Sequence, residues 1–450
     1  MTQNLANLPA LKDSKWLRLF SLALLYAGQG LPIGIYQVAL PAYMASLDMS
    51  AAEIGGFIAF VFMPWSFKLI AGPLMDKFAF LPMGRRRPWV LGAQFGLLLS
   101  FLLLLILGPN PVSDYWQLAM LGFVSNVFGA LQDVAVDGMA IDLLENEERA
   151  QGNAFMYGGQ MTGISLAGSL SSWAMMSSGL TLAAGLMAVC VALILLVPLL
   201  LRERSGERLL PWSQGQASIG HRGETAQSWL SLLARVLRVL LLPMSLLLIL
   251  IEGLSRVTSG LLVAVSPILT VQELGWPQLD YANWVAVTGV LAAIAGVVFG
   301  PMIDRIGALT VLKWVVLFRV LVFVVMAFTV EFWPSGYVFH CFMLVNAVAT
   351  QWVTVAIIAL FMRLCASSVA ASQFAVYMAL ANVTYSMGSG LLALISDVID
   401  YSGMMWLSGI MIGSMWVLLR FVDFDQHGRD LERAEGLAQA ALKKPLNQSD

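Results

Sequence analysis

Three carboxylates stand in one segment of a chain that is otherwise largely apolar. Residues 126–149 read NVFGALQDVAVDGMAIDLLENEER and carry Asp133, Asp137 and Asp142. In a helix, Asp133 and Asp137 lie one turn apart on the same face, whereas Asp142 points to about the opposite side. Burial raises the pKa of a carboxyl group, and a neighbouring cation opposes that shift. The pattern therefore allows two chemistries, which are proton exchange and ion pairing with a basic side chain.

A basic residue at matching depth offers a partner for these carboxylates. Lys68 lies in an apolar segment at about the depth of Asp133, and a run of three arginines follows it. Two interpretations stay open. In the first, Asp133, Asp137 and Lys68 bind and release a coupled proton. In the second, the carboxylates pair with Lys68 or with the arginines and hold helix ends together.

A second group of charges stands in the C-terminal half of the chain. Glu252 and Arg256 are four residues apart and share a helix face. Such a pair either neutralises itself or presents a site for a charged solute or a proton, and both alternatives stay open. Arg319, in another apolar segment, has no partner within its own helix. A charge inside a membrane helix costs about 2.5–3.5 kcal/mol, so each of these residues requires a reason.

Uncharged polar side chains are spread through the apolar segments of both halves. Gly30 and Pro32 are expected to bend or unwind the first helix beside two glutamines. Side-chain amides in membrane helices either bond neighbouring helices or line a cavity for a polar, hydrogen-bonding solute. Together with Glu252 and Arg256, the residues predicted to line such a cavity are Gln29, Gln37, Asn126, Gln160, Asn283 and Gln351.

These residues belong to a chain with the composition of a membrane protein. Its 450 residues have a mean hydropathy of +0.80, and 12% are charged, against about 25% in soluble domains. The net charge of −2 predicts no nucleic-acid partner. Three dispersed cysteines predict neither a disulfide framework nor a metal site. The sequence carries no HExxH, GxSxG or Walker A pattern, so we expect no enzyme, no ATP-driven pump and no cofactor.

Twelve segments are long and apolar enough to cross a bilayer, which requires about 20 residues. The sequence therefore predicts an all-α polytopic membrane protein, with 12 transmembrane helices in two six-helix bundles. The predicted spans are residues 17–44, 53–76, 89–108, 115–143, 149–176, 179–201, 237–269, 281–303, 309–330, 333–362, 368–396 and 402–422.

Positive residues cluster in the loops on one side of the predicted spans. Cytoplasmic loops carry an excess of Lys and Arg, so both termini are predicted to be cytoplasmic. Besides the arginines of the motif below, the residues that set this orientation are Lys12, Lys15, Arg18, Lys77, Arg202, Arg204, Arg208, Arg222, Lys313, Arg363, Arg429, Arg433, Lys443 and Lys444.

The two predicted halves repeat each other. GPLMDK at residues 72–77 recurs as GPMIDR at 300–305, and AxGNxxxY at 150–157 recurs as AxSQxxxY at 370–377. Two repeats in matching positions indicate an internal duplication of six helices. A polar tail is either a short surface helix or disordered. The predicted domains are an N-terminal bundle (1–201), a cytoplasmic linker (202–228), a C-terminal bundle (229–422) and the tail (423–450).

A motif of glycine, aspartate and arginine lies between the second and third spans. GPLMDK, seven further residues and three arginines resemble the cytoplasmic signature of the major facilitator fold. This motif and its repeat are expected to gate the cytoplasmic ends of the helices. The residues assigned to gating are Gly72, Asp76, Arg85, Arg86, Arg87, Asp142, Arg149, Asp304 and Arg305.

The segment QDVAVDGMAIDLLENEERA at residues 132–150 carries a closer resemblance. It is similar to the AmpG-type muropeptide permeases, within the peptide/acetyl-coenzyme-A transporter family of the major facilitators. Phe67 with Lys68, and the GLP of residues 30–32, match the same family. The residues of the segment that meet the family pattern are Gln132, Asp133, Asp137, Asp142, Glu147, Glu148 and Arg149.

The resemblance implies an importer of the bacterial inner membrane, driven by the proton gradient and carrying a small molecule across the bilayer. The implied cargo is an anhydro-muropeptide of the GlcNAc-anhydroMurNAc type. Related permeases carry siderophores of the pyochelin or rhizobactin kind, and this alternative stays open. Glu252 and Arg256 stand where the family tends to carry Lys and Asp, and Trp284 replaces an expected basic residue. A monomer is expected.

Overall fold

The computed structural model describes residues 10–145, 148–216, 236–365 and 370–442, which are helical and contain no strand. The first six long helices are α1 (Lys15–Ser46), α2 (Ala51–Phe62 and Lys68–Lys77), α3 (Arg87–Leu107), α4 (Tyr115–Leu143), α5 (Arg149–Ser178) and α6 (Leu180–Leu200). The others are α7 (Pro243–Glu273), α8 (Gln278–Ile306), α9 (Ala308–Phe328), α10 (Tyr337–Leu364), α11 (Ala370–Ile395), α12 (Tyr401–Leu418) and the tail helix α13 (Phe424–Leu442).

Ten helices of the described ranges are long and apolar enough to cross a membrane. The two other long helices, α2 and α5, fall short for different reasons. Helix α2 is interrupted, and α5 is rich in glycine and serine, which makes it less apolar than its neighbours. The chain is therefore a multi-pass membrane protein, and the predicted all-α class is confirmed.

The sequence predicts that Gly30 and Pro32 bend or unwind helix α1. In the structure the helix does not unwind there. It stays helical through Ile33 and continues as a π-helix over Gly34–Ala39. Proline has no N–H to donate to the preceding turn, and at the end of the π-helix Leu40 N donates to the carbonyl of Ile35, five residues earlier. The register shifts by one residue, which widens the helix without breaking it.

Helix α2 differs from the predicted continuous span at 53–76. A 3-10 turn, Met63–Phe67, separates its two parts and carries Pro64 in its first turn. The second part runs through Gly72 and Pro73 and continues to Lys77. The break therefore falls inside the span, where a 3-10 turn provides a hinge.

The first and fifth helices of each half approach each other closely. A Cβ atom added at Gly159 of α5 would lie 2.1 Å from the carbonyl oxygen of Ala23 on α1. In the second half, a Cβ at Gly260 of α7 would lie 2.0 Å from the carbonyl oxygen of Tyr385 on α11. Only glycine permits backbones to approach this closely. The repeat seen in the sequence thus recurs as a repeated packing arrangement.

The two sets of six helices are joined on the side opposite the linker by side-chain amides. Gln272 Nε2 donates to the carbonyls of Ala45 and Met49, each at 2.9 Å. Gln278 Nε2 donates to the carbonyl of Ser172 at 3.2 Å. These side-chain bonds close the ends of α1, α5, α7 and α8 against one another.

The linker and the tail are ordered in their described parts. Leu11 N donates to the carbonyl of Arg202 at 2.8 Å, so the start of the linker lies against the segment that precedes α1. The tail begins with a helix, α13, which agrees with the surface-helix alternative. Outside the described residues lie part of the linker, the predicted boundary at 228–229, Glu147, Arg222, Lys443 and Lys444.

Candidate functional site

Two acid–base pairs lie inside the N-terminal helices, where the sequence predicts a proton site. Lys68 Nζ donates to Asp133 Oδ2 in an ion pair. Tyr26 Oη on α1 donates to Asp137 Oδ1. Asp133 is 6% exposed, and Lys68 and Asp137 are half-buried. The structure brings the three predicted residues together and adds Tyr26, and we call these four residues the acid–base cluster.

The acid–base cluster borders the break in α2. Lys68 is the first residue after the 3-10 turn, and its Nζ lies 4.4 Å from the centre of the Trp65 ring, a cation–π contact. Trp65 Nε1 donates to Asn126 Oδ1 at 2.7 Å. The carbonyl of Trp65 accepts from Asn382 Nδ2, on α11 of the other half, at 3.1 Å. Asp133 is thus connected to the opposite half through Lys68 and Trp65.

This arrangement can link proton exchange to the ion pair. While Asp133 is ionised, it compensates the charge of Lys68 in a poorly solvated interior. Protonation of Asp133 would deprive the partly buried Lys68 of its directly bonded carboxylate, and removing one partner of a buried pair costs up to about 3–5 kcal/mol. The geometry is compatible with both alternatives drawn from the sequence, because a structural ion pair has the same contact.

A second group, the central charge cluster of Glu252, Arg256 and Arg319, lies in the C-terminal helices. Arg256 Nε donates to Glu252 Oε1 at 2.6 Å. Arg319, on α9, is 1% exposed and interacts electrostatically with both residues. Its Nη2 donates to Asn346 Oδ1 at 3.3 Å. Its Nε and Nη1 have no hydrogen-bond partner among the described residues.

The uncharged residues predicted to line a cavity divide into two sets. Gln351 accepts a hydrogen bond from Tyr157 Oη at 2.8 Å, which joins α5 to α10 between the halves. Tyr157 also interacts electrostatically with Arg256, so this bond lies beside the central charge cluster. Gln37 and Gln160 are half-buried and Asn283 is exposed, so their place in a cavity stays a prediction.

Two residues of the predicted cavity are enclosed by packing instead. Gln29 is fully buried, and its amide has no hydrogen-bond partner within the described ranges. Asn126 is fully buried, accepts from Trp65 and donates to the carbonyl of Gly122 at 2.9 Å. Helix periodicity places Asn126 on the face of Asp133, but the indole of Trp65 covers it, so its amide serves helix packing.

The backbone of the three motif arginines surrounds a carboxylate of the linker. The N–H groups of Arg85 and Arg86 donate to Glu203 at 3.1 and 2.8 Å, and that of Arg87 donates to the same carboxylate. Gly84 precedes them with φ of +101°, and a Cβ there would lie 2.7 Å from Glu203 Cδ. Successive amides after such a glycine form a concave anion site.

The side chains of the motif fasten the same loop. Arg87 is 1% exposed, and its guanidinium donates to the carbonyls of Pro198 at 2.6 Å and Leu209 at 2.5 Å. It therefore binds the last turn of α6 to the linker. Arg86 Nε lies 3.6 Å from Asp142 Oδ2, so Asp142 serves this loop, as its place near the helix end predicts.

The remaining residues assigned to gating are distributed along the helix ends. Gly72 is half-buried, and a Cβ there would lie 3.8 Å from Val134. Arg149 and Arg305 are exposed, at the first turn of α5 and near the end of α8. The side chains of Asp76 and Asp304 lie outside the described part of the structure.

The sequence analysis does not predict several residues of these sites, among them Tyr26, Tyr157, Glu203 and Glu207. Tyr26 and Asp137 are 111 positions apart, and no local spacing indicates that they meet. Glu203 and Glu207 stand among arginines in a polar segment, which is typical of a solvated loop, yet each is 1% exposed. Tyr157 could have been predicted from the sequence, because it is the last residue of one copy of the repeated motif.

The docking of the linker is predicted to depend on pH. Burial, and then the charge of Glu203, raise the pKa of Glu207 to about 7. The docked form therefore binds the proton more tightly than an undocked form with the ordinary pKa of 4.5, so docking strengthens as the pH falls from about 7 towards 4.5. Hydrogen exchange of residues 202–216, corrected for its intrinsic pH dependence, should slow over this range.

Glu207→Gln provides the control for this dependence. The variant keeps the size of the side chain but cannot ionise at this position, so its exchange should depend less on pH over the same range than that of the unchanged protein. Equal slowing in the variant and in the unchanged protein would contradict the assignment to Glu207.

The fold and its sites define a membrane transporter of two related helical halves. The model of the Major Facilitator Superfamily matches residues 22–378 and 246–448, which together make up most of the chain. The chain belongs to this superfamily, and it is a transporter and not an enzyme.

Two curated relatives are similar to part of the chain. The "Anhydromuropeptide permease" of Escherichia coli (strain K12) is 31% identical over 167 residues, which cover 36% of this chain and 33% of the permease. An uncharacterized protein of Haemophilus influenzae is 30% identical over 28% of each chain. The alignments therefore span about a third of the length of these relatives.

A solved structure is similar to nearly the whole chain. It is the crystal structure of a bacterial homologue of the iron transporter ferroportin in its outward-facing state. The two chains superpose with a TM-score of 0.58 at 14% identity, covering 92% of this chain and all of that chain. At this level of identity the likeness establishes the shared fold.

Proposed function

We propose that the chain is a proton-coupled importer of an anhydro-muropeptide, located in the bacterial inner membrane with both termini in the cytoplasm. The observation that carries the coupling is the contact of Lys68 with Asp133 at the break in α2. A proton that binds Asp133 releases Lys68 beside the 3-10 turn, which is bonded to α11.

The coupling follows from the order of these contacts. In the proton-free state, Lys68 is held by Asp133 and by the ring of Trp65. In the protonated state, Lys68 loses its bonded carboxylate, and the 3-10 turn that carries Trp65 is free to change its geometry. Because Asn382 binds the carbonyl of Trp65, this change alters the contact between the two halves. Alternating access arises from such rocking of two repeats.

The cargo is supported by the permease relative and by the chemistry of the interface. The 31% identity to a permease named for anhydromuropeptides covers a third of the chain. Tyr157, Gln351 and Arg256 place hydroxyl, amide and guanidinium groups together between the halves. A sugar–peptide solute presents hydroxyl, amide and carboxylate groups that match them.

Uptake into proteoliposomes tests this function. The full chain is reconstituted, a pH gradient is imposed, and accumulation of labelled GlcNAc-anhydroMurNAc-tripeptide is compared with that of ferri-pyochelin. We expect the muropeptide to accumulate when the outside is acidic and to stop accumulating when a protonophore removes the gradient. Accumulation of the siderophore alone would show that the cargo is of the alternative class, and uptake insensitive to the protonophore would contradict proton coupling.

A further inference from the structure

The central charge cluster is buried but has more positive than negative groups. It contains the guanidinium groups of Arg256 and Arg319 and the carboxylate of Glu252, with a formal charge of +1. Arg319 is 1% exposed and Glu252 is 3% exposed. An uncompensated charge in such surroundings is costly unless a further anion binds.

The two arginines differ in access and in hydrogen bonding. Arg256 is bonded to Glu252, but 26% of its side chain is exposed, and it lies near Tyr157 at the boundary between the halves. Arg319 is enclosed, and two of its donor groups, Nε and Nη1, have no partner among the described residues. The reachable cation is thus already bonded to a carboxylate, while the enclosed cation is bonded to an amide and keeps two donors without a partner within the described residues.

We infer that the anionic group of the solute, a carboxylate, binds Arg256, and that Glu252 then turns to the free donors of Arg319. The inference rests on the proposed function and names the chemical class that its site recognises. Before binding, one carboxylate interacts with two guanidinium groups. After binding, two carboxylates face two guanidinium groups, and the cluster is neutral. Guanidinium–carboxylate hydrogen bonds are among the stronger ones in proteins, which favours the exchange.

In this scheme Arg319 is a positioning residue. It does not touch the solute. It acts by donating hydrogen bonds to Glu252 once Glu252 has left Arg256. Without Arg319, Glu252 and Arg256 would form a closed neutral pair, and an incoming carboxylate would leave the site with a charge of −1. The affinity for an anion therefore depends on a residue that the solute does not reach.

The test compares an acid with its amide. The full chain, purified in lipid nanodiscs, is titrated with GlcNAc-anhydroMurNAc-tripeptide and with the same compound after conversion of all its carboxylates to amides. The unchanged protein should bind the acid at least about tenfold more tightly, because hydrogen bonds to charged groups contribute about 1.5–3 kcal/mol. Equal affinities would overturn the inference while the proposed cargo stands. Binding of neither compound would overturn the proposed cargo and the inference with it.

Three variants separate charge balance from a merely structural role. Arg319→Gln should bind acid and amide equally, and Arg319→Lys should keep the preference for the acid. The double variant Glu252→Gln with Arg319→Gln restores a single free cation at Arg256, so the preference for the acid should return. A structural role for Arg319 would not be repaired by a second change at Glu252. Loss of the preference in the double variant, with the protein still monodisperse on size-exclusion chromatography, would overturn the inference.

Discussion

Asp133→Asn is expected to abolish accumulation of the solute against its gradient. The asparagine is similar in size but cannot ionise, so it neither takes up a proton nor balances the charge of Lys68. One proton carried with each solute down a gradient of one pH unit supports about a tenfold accumulation. In the variant the internal concentration should stop at about the external one. The measurement is uptake of labelled muropeptide into proteoliposomes with an acidic exterior.

Exchange without a gradient distinguishes coupling from folding in this variant. Liposomes loaded with unlabelled solute should still take up labelled solute through Asp133→Asn, since counterflow requires alternating access but no net proton movement. Asp137→Asn removes the other carboxylate of the acid–base cluster, which is bonded to Tyr26 rather than to Lys68. If coupling depends on the pair of Lys68 and Asp133, this variant should still accumulate the solute. Full accumulation by Asp133→Asn would assign Lys68 and Asp133 to structure alone.

Gly159→Val is expected to lower the melting temperature of the protein strongly. A Cβ at this position would lie 2.1 Å from the backbone oxygen of Ala23, which no rotation of a side chain relieves. Overpacking of a core costs about 1–3 kcal/mol, and a clash with backbone lies at or above the upper end of that range. Helices α1 and α5 must separate, so the yield of monodisperse protein and its melting temperature should fall sharply.

The neighbouring glycine gives a control at the same depth of the same helix. A Cβ at Gly158 would have nothing within 4 Å in the described structure. Gly158→Val introduces the same side chain and the same change in helix propensity, and its melting temperature should stay close to that of the unchanged protein. Similar losses in both variants would show that helix propensity, and not the contact with Ala23, is responsible.

The sequence predicts correctly those features that depend on residues close together in the chain. A span is a run of about 20 apolar residues, so the helices could be placed without knowing their neighbours. The shared face of Asp133 and Asp137 follows from helical periodicity. The repeated motifs indicate two related halves. In the structure, the close pair of α1 and α5 in the first half corresponds to the close pair of α7 and α11 in the second.

The break in α2 and the π-helix in α1 lie at the limit of what a pattern can predict. The sequence analysis expected a disturbance at Pro32 but not at Pro64, which lies in the first turn of the 3-10 segment. A proline removes one donor, but the backbone can respond by bending, by tightening into a 3-10 turn or by widening into a π-turn. The packing of neighbouring helices selects among these responses, and it widens α1 while it breaks α2.

The apolar composition, the basic loops and the spacing of charges along each helix are properties of the chain alone, and they indicated a polytopic membrane protein with ionisable groups inside it. The resemblance of its motifs to known permeases added the expectation of transport. The partners of those groups depend on how the helices face one another. Lys68 pairs with Asp133, and Tyr26 donates a hydrogen bond to Asp137. Glu203 accepts hydrogen bonds from the backbone amides of a loop more than 100 residues away. Periodicity defines the direction of a side chain on its own helix, but the rotation and depth of each helix in the bundle come from packing over its whole length. Tertiary packing therefore decides which buried charges are balanced, and within the described residues it leaves Arg319 with two unused donors.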